Sequence, residues 1–267
     1  MIVVNPQGGL CNRMRVIASA LLLSQRAGVP LEVRWFRTPN LNVRFDNLFV
    51  PQRLPARVLE GAALTRVRAA TIRAGEELMR LVGWRVLGDP DTAPGQFDPE
   101  ACQADARRRD VLIRTNSKLV DEANIYRWFE PVPDCESRIS AQLPLVTDAI
   151  GVHVRRTDNR EATRWSPIEA FVRLMEEEIE RDPAARFFLA TDSPAVSQKL
   201  NSRFSGRVHE VAKTSLSRND PVAIKEALVD LYCLANTRRL IGSYWSSFTD
   251  TAAEINGIEC RIAKGDG

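Results

Sequence analysis

The residues best suited to chemistry lie within Ala149–Asp158, which reads A-I-G-V-H-V-R-R-T-D. Its apolar side chains alternate with the others, and this period of two predicts a β-strand with His153 and Arg155 on one face. Arg156 and Asp158 follow where the strand should end. Two guanidiniums beside an imidazole and a carboxylate suit a ligand with several negative oxygens, such as a diphosphate, because each planar guanidinium can bond two oxygens at once. An edge strand whose arginines pair with the carboxylate in solvent explains the same pattern.

Two further strands of the second half are expected to end in polar residues. One is predicted at Arg186–Ala190, shortly before Asp192, and the other at Arg239–Gly242, before a serine-rich turn. The carboxyl ends of parallel strands meet at one edge of a sheet, where open α/β folds bind their ligands, so three such clusters favour a nucleotide site. Each cluster alone is also explained by helix capping, because Ser and Asp are common N-cap residues.

The elements that must position these residues alternate between strand and helix. The chain opens with a predicted strand, the turn Pro6–Arg13, a helix that ends at Gly28, and a second strand at Leu31–Phe36, which together form a βαβ unit. The pair Gly8-Gly9 would let backbone amides approach an anion at a helix N-terminus. A tight turn that needs glycine for steric reasons explains the pair as well.

The middle of the chain is less regular. Leu59–Val86 is predicted as one arginine-rich helix, whose cationic face suits an acidic acceptor or a membrane surface, or is simply solvated. A short buried strand is expected at Val111–Ile113, and closely spaced prolines place a domain boundary near residue 145. In the second half, Ser166-Pro167 predicts the start of a helix, with Ser at the N-cap and Pro in the first turn.

Composition limits the class of protein. The 267 residues are 44% apolar and 27% charged, as in soluble globular proteins, and the net charge of +3 is too small to indicate nucleic-acid binding. No basic segment precedes an apolar stretch near the N-terminus, so we expect no secretory signal, a cytoplasmic location and reduced cysteines. With only two histidines, a His-rich metal site is not expected.

Several motifs together resemble the α1,6-fucosyltransferases, which include the N-glycan core enzymes and the bacterial nodulation-factor enzymes. The motifs are H-V-R-R-T-D followed by P-I-E, then F-L-A-T-D-S-P, D-L-Y-C-L-A and I-G-S-Y-W-S-S-F. G-G-L-C-N-R near the N-terminus is similar to the Gly-rich turn of these enzymes and of the wider fucosyltransferase superfamily. The resemblance covers 146–267 and about the first 30 residues, whereas the middle does not obviously match.

The resemblance implies an α/β fold of GT-B-like type, with two Rossmann-like domains that face a cleft. Residues 1–145 would form the N-terminal, acceptor-side domain, and residues 146–267 would form the C-terminal, nucleotide-sugar-binding domain. The implied reaction is an inverting, metal-independent transfer of fucose from GDP-β-L-fucose to a glycan or glycolipid hydroxyl. No cofactor is implied apart from this donor substrate, and no nucleic-acid partner.

The resemblance also implies roles for single residues. Arg155 resembles the arginine that grips the β-phosphate, with Arg156 assisting, and His153 and Asp230 resemble the pair that recognises guanine. The remaining donor-binding residues that it implies are Gly9 and Asn12 in the N-terminal turn, Asp192 at the second motif, and Ser246 and Ser247 in the serine-rich turn.

A carboxylate is needed to deprotonate the acceptor hydroxyl. Glu161 is the best match, although its spacing to Pro167 differs by one residue from the pattern of the core enzymes. Asp158 is the other candidate, and an ion pair with one of the arginines is the favoured explanation for it. Asn159 stands where the family usually has Lys or Gly. A GT-B enzyme with another nucleotide sugar, and a non-catalytic nucleotide- or glycan-binding protein, remain alternatives.

Overall fold

The computed structural model describes most of the chain, in the segments 1–61, 66–157, 160–217 and 219–265. The chain divides into two compact units: the first contains Met1–Val132 and Ser217–Ile224, and the second contains Pro133–Leu216 and Lys225–Gly267. Residue 145 lies near the carboxyl end of a helix in the second unit. No helix among the described residues is both long enough and apolar enough to cross a bilayer.

The first unit is an α/β layer structure. In its described part the chain forms β1 (Ile2–Pro6), α1 (Leu10–Ala27), β2 (Leu31–Phe36), β3 (Arg57–Gly61), α2 (Arg66–Leu81), β4 (Arg85–Leu87), α3 (Pro99–Ala106) and β5 (Val111–Thr115). The strands form one parallel sheet in the order β3-β2-β1-β5-β4. The chain order reverses between β1 and β5, which makes the carboxyl end of β1 a topological switch point.

The opening βαβ unit is confirmed. β1 is fully buried, and α1 ends at Gly28, whose φ of +68° is a left-handed conformation that glycine adopts without steric cost. The single helix predicted over Leu59–Val86 was wrong, because a strand lies on each side of the shorter helix α2. β3 pairs with β2 and β4 pairs with β5, so hydrogen bonds of the sheet override the local helical spacing.

The second half repeats the alternation of helix and strand. From residue 133 onward, the described chain forms α4 (Pro133–Val146), β6 (Ile150–Val154), α5 (Arg160–Trp165), α6 (Ile168–Arg181), β7 (Phe187–Thr191), α7 (Pro194–Arg203), β8 (Val208–His209), α8 (Pro221–Ala235), β9 (Arg239–Ser243), α9 (Ser247–Asn256) and β10 (Cys260–Ala263). The prediction that Ser166 is the N-cap residue of α6 was wrong. Pro167 occupies that position in an extended conformation, and the Ser166 hydroxyl instead accepts the backbone N–H of Tyr244.

β6 is the central strand of the second sheet. The order is β10-β9-β6-β7-β8 with every pair parallel, so the direction of the winding changes between β6 and β9. All five residues of β6 are buried, and Ile150, Val152 and Val154 pack with β7 and α6 in one apolar core. At Gly242 in β9, an added Cβ would collide with the side chain of Thr249, so glycine allows α9 to lie close against the sheet. The start of α9 is thereby fixed beside the switch point.

Candidate functional site

The candidate site lies at the carboxyl ends of β6, β7 and β9, in the second unit. His153 is the fourth residue of β6 and is buried. Its Nδ1 lies 2.7 Å from Oγ1 of Thr249, and its ring stacks on Phe248 with the centroids 4.7 Å apart. Burial, with a smaller contribution from the positive charge of Arg155, lowers the pKa of His153 to about 3. The imidazole is therefore neutral at physiological pH and offers a hydrogen-bonding group rather than a charge.

Asp192 fixes the turn that follows β6. Its Oδ1 accepts the backbone N–H of Arg156 at 2.8 Å, and its Oδ2 accepts the hydroxyl of Thr157 at 2.8 Å and the N–H of Thr157 at 3.3 Å. From β9, the Ser243 hydroxyl accepts the N–H of Arg155 at 2.9 Å. Residues at the carboxyl ends of the two strands that flank β6 thus hold the double-arginine turn in one conformation.

The two arginines have different environments. Nη1 of Arg155 lies 3.1 Å from Oδ2 of Asp192, and both side chains are largely buried. The Arg156 guanidinium lies 5.9 Å from the centroid of the Phe171 ring, and its Nη2 is buried without a hydrogen-bond partner among the described residues. Burial lowers the pKa of Arg156, although Asp192 and Glu169 attract its charge. Arg156 therefore holds a donor that an anionic oxygen would satisfy.

A helix N-terminus begins next to this turn. Ser246 is the buried N-cap residue of α9, its side chain makes no capping hydrogen bond, and Ser247 is the first residue of the helix. The first backbone N–H groups of a helix point outward with a partial positive charge, so they favour an anion at this position. The structure thus brings the predicted Ser246 and Ser247 to the same sheet edge as the predicted arginines.

A buried ion pair lies at the end of β7. Nζ of Lys213 is 2.8 Å from Oδ2 of Asp230 on α8 and donates to the carbonyl oxygen of Thr191 at 3.1 Å. Burial raises the pKa of Asp230 to about 6, against the attraction of Lys213. Oδ1 of Asp230 is buried and has no hydrogen-bond partner in the described part of the chain. The charge of Lys213 also acts on His153, which places His153 and Asp230 in the same neighbourhood.

Lys213 was not predicted from the sequence. It lies in the loop after β8, outside every motif, and only the folded sheet brings it to Thr191 and Asp230. Thr249 was also missed, because its partner His153 is 96 residues away in the chain. In the sequence, the only sign of Thr249 was a polar residue near the start of a predicted helix.

The remaining donor candidates, Gly9 and Asn12, belong to the first unit. Gly9 precedes α1 as its N-cap residue, and Oδ1 of Asn12 is buried without a partner in the described residues. The fully buried Arg13 donates to the carbonyl oxygens of Gly8 at 3.1 Å and Phe36 at 2.6 Å, and burial lowers its pKa to about 10. These bonds tie the Gly-rich turn to the end of β2, next to the switch point of the first sheet.

The structure describes only one of the two candidate bases, Glu161. Glu161 is exposed on α5, and its Oε2 accepts the indole N–H of Trp165 at 2.9 Å. Asp158 lies outside the described residues. Among the described residues, no group of three His, Cys, Asp or Glu side chains is arranged to hold a metal ion.

Similarity to known proteins is found in structure and not in sequence. No protein-family model matches the chain, and no curated protein sequence does. Arabidopsis thaliana FUT1, as the mutant R284K in complex with GDP, has a TM-score of 0.63 at 14% identity, covering 98% of this chain and 69% of that one. The α1,6-fucosyltransferase NodZ soaked with GDP-fucose has a TM-score of 0.59 at 20% identity, with coverages of 95% and 92%. Apo POFUT1 has a TM-score of 0.60 at 11% identity, with coverages of 98% and 97%. The predicted α/β, GT-B-like fold with two Rossmann-like halves is thereby confirmed.

Proposed function

We propose that the chain is an inverting, metal-independent glycosyltransferase that transfers fucose from GDP-β-L-fucose to a hydroxyl of a glycan or glycolipid. The observation that carries this proposal is the fixed strand end, where Asp192 and Ser243 hold Arg155 and Arg156 beside the N-terminus of α9. The fold supports it as well, because structures with this fold include fucosyltransferases solved with GDP or GDP-fucose.

In the proposed reaction, the acceptor hydroxyl oxygen attacks C1 of fucose on the face opposite the diphosphate. The bond between C1 and the β-phosphate oxygen breaks, and the hydroxyl proton passes to a carboxylate, for which Glu161 is the first candidate and Asp158 the second. Negative charge grows on the departing GDP. Arg155, Arg156 and the first amides of α9 stabilise this charge more strongly in the transition state than in the bound donor.

Recognition of guanine is assigned to His153 and Asp230. A neutral imidazole can donate or accept a hydrogen bond, and the unpartnered Oδ1 of Asp230 can accept from a guanine N–H. Lys213 keeps the buried Asp230 carboxylate charged, and so keeps it an acceptor. We assign donor binding to residues 146–267, with Asp192, Ser246 and Ser247, and Gly9 and Asn12 of the N-terminal turn stay predicted donor-binding residues.

A peripheral membrane contact is proposed for α2 and the residue after it. Leu78 and Leu81 in the last turn of this arginine-rich helix, and Val82 directly after it, are exposed apolar side chains. Such a surface suits anionic lipid. Binding to vesicles of anionic and neutral lipid tests this contact. The cytoplasmic location stays a prediction.

The donor is tested by incubating the full chain with GDP-fucose or GDP-mannose and measuring the release of GDP, with and without a panel of glycan acceptors. We expect turnover of GDP-fucose, and a loss of about 10²–10³-fold in Arg155→Ala, the usual cost of removing a donor that stabilises developing charge. Preferential turnover of GDP-mannose would identify a different donor. Tight binding of GDP-fucose without transfer to any acceptor would identify the non-catalytic alternative.

A further inference from the structure

Three aromatic side chains of the second unit form a row beside the start of α9. Trp165 ends α5, and Tyr244 and Trp245 directly follow β9. The ring centroids of Trp165 and Tyr244 are 6.2 Å apart, and those of Tyr244 and Trp245 are 6.0 Å apart. Trp165 is 41% exposed and Trp245 is 73% exposed. We call these three residues the aromatic row.

The backbone holds Trp245 in an unusual conformation. Its φ is +52°, in the left-handed region, which is uncommon for a bulky side chain and costs about 1–3 kcal/mol when the surrounding structure imposes it. The residues on both sides are fixed: the Tyr244 N–H donates to Ser166 at 2.8 Å, and the carbonyl oxygen of Ser246 accepts the N–H of Asp250 at 3.0 Å. An apolar ring is thus kept in solvent at a conformational cost, which is typical of a binding position.

The polar groups around the aromatic row suit a carbohydrate. The Arg164 guanidinium lies 5.1 Å from the ring centroid of Trp165, and Nζ of Lys264 lies 5.0 Å from that of Tyr244. A pyranose has an apolar C–H face that stacks on an aromatic ring, and hydroxyls at its edge that bond to charged and polar side chains.

The aromatic row is connected to the candidate base. The indole N–H of Trp165 donates to Oε2 of Glu161 at 2.9 Å, one helical turn earlier in α5. At its other end, Trp245 directly precedes Ser246, the N-cap residue of α9, whose first amides are proposed to face the diphosphate. A sugar stacked on the row would therefore lie between the proposed base and the proposed diphosphate position.

We propose that the aromatic row is the acceptor subsite, which binds a pyranose ring of the acceptor glycan, and that Trp165 is in addition a positioning residue for Glu161. The inference rests on the proposed function, because it takes GDP-fucose as the donor and Glu161 as the base. Its own content is the substrate class: a carbohydrate acceptor that is recognised by stacking. No contact from the first unit is needed for it.

The first experiment measures binding of the labelled full chain to an array of immobilised oligosaccharides. Trp245→Asn removes the ring but suits the left-handed backbone, Trp245→Phe keeps a ring, and Leu145→Ala removes an exposed apolar side chain elsewhere in the same unit. We expect Trp245→Asn to lose about tenfold in apparent affinity for the glycans that the wild type binds, the usual worth of one aromatic stacking contact. Trp245→Phe should keep most of the affinity, and Leu145→Ala all of it.

Calorimetry with GDP-fucose separates this inference from the proposed function. The acceptor role predicts that Trp245→Asn binds GDP-fucose like the wild type. A wild type that binds no glycan on the array, or a Trp245→Asn variant that binds the same glycans equally well, overturns the inference. Weaker GDP-fucose binding with unchanged glycan binding would assign the ring to the donor instead. Trp245-dependent glycan binding without GDP-fucose binding would refute the proposed function and leave the carbohydrate subsite standing.

The positioning role of Trp165 has a kinetic test, with a glycan from the array as acceptor. Trp165→Phe keeps the ring and removes the N–H that holds Glu161, so kcat should fall several-fold while KM for the glycan stays the same. Trp165→Ala removes both and should lower kcat and raise KM. If Trp165→Phe has the kcat of the wild type, the N–H does not position Glu161, and that part of the inference is wrong.

Discussion

Replacing Arg156 by Met should stabilise the protein and weaken its binding of GDP. Nη2 of Arg156 is buried without a hydrogen-bond partner among the described residues, and such a donor costs about 1–3 kcal/mol. Met keeps much of the apolar stem and removes this donor, but it loses the contact of the guanidinium with Phe171, worth about 0.5–1 kcal/mol. The balance is a gain of about 1 kcal/mol, which for a chain of this size raises Tm by about 2–4 °C.

Arg155→Met is the matched control, because this guanidinium has a carboxylate partner. Removing it leaves Asp192 without a charged donor, which costs about 1.5 kcal/mol, the lower end for charge-assisted bonds. The two substitutions should therefore change stability in opposite directions. Both should weaken GDP binding by about 10–150-fold, since a charged hydrogen bond to phosphate is worth about 1.5–3 kcal/mol.

The assays are urea unfolding followed by circular dichroism, and titration calorimetry with GDP. The reasoning is refuted if Arg156→Met destabilises the fold as much as Arg155→Met does. It is equally refuted if Arg156→Met is more stable but binds GDP with unchanged affinity, because the unpartnered guanidinium nitrogen would then have no role toward phosphate.

Three further predictions concern the same sheet edge. Asp192→Asn should weaken GDP-fucose binding by at least about tenfold in calorimetry, because an amide cannot accept every N–H and hydroxyl of the double-arginine turn; unchanged affinity would show that the turn needs no fixing. Because the pKa of His153 is lowered in the folded protein, stability decreases as pH falls from about 6.5 toward 3. Because the pKa of Asp230 is raised, stability increases as pH falls from about 6 to 4. The two effects nearly cancel between about pH 4 and 6. Asp230→Asn should remove the gain that comes from Asp230. As pH falls from about 6 to 4, its free energy of unfolding in urea should then decrease by about 1.4 kcal/mol per pH unit more steeply than that of the wild type; parallel profiles would contradict the raised pKa of Asp230. Gly242→Ala should cost about 1–3 kcal/mol by forcing a methyl group into Thr249, and Thr249→Ser, which removes the Cγ2 methyl and keeps the hydroxyl for His153, should restore most of this loss in thermal unfolding; no rescue would place the strain elsewhere.

The sequence was most informative where local pattern and fold rule agree. The alternation in β6 predicted a strand, and the rule that ligands bind at the carboxyl ends of parallel strands then placed Arg155, Arg156 and Asp192 at one edge. The contacts themselves did not follow from the pattern. That Asp192 bonds to the turn after β6, and that Ser166 bonds to Tyr244 rather than capping α6, depends on tertiary hydrogen bonds.

The contacts of residues that belong to no motif could not be predicted from the sequence. Lys213 lies in an irregular loop, and only the folded sheet brings it to Asp230. The prediction for the middle segment was wrong for a related reason. Helical spacing suggested one long helix, but β3 and β4 form their backbone hydrogen bonds at the two edges of a sheet that the local sequence does not reveal. In both cases the deciding interaction joins residues that are distant in the chain.

The most direct test of the central claim compares GDP with GMP in calorimetric titrations of the wild type and of an Arg155→Ala/Arg156→Met double variant. If the paired arginines hold the β-phosphate, GDP binds the wild type at least about tenfold more tightly than GMP, and the double variant loses this preference. Equal affinity of the wild type for the two nucleotides, or a preference for GDP that survives in the double variant, would contradict the account.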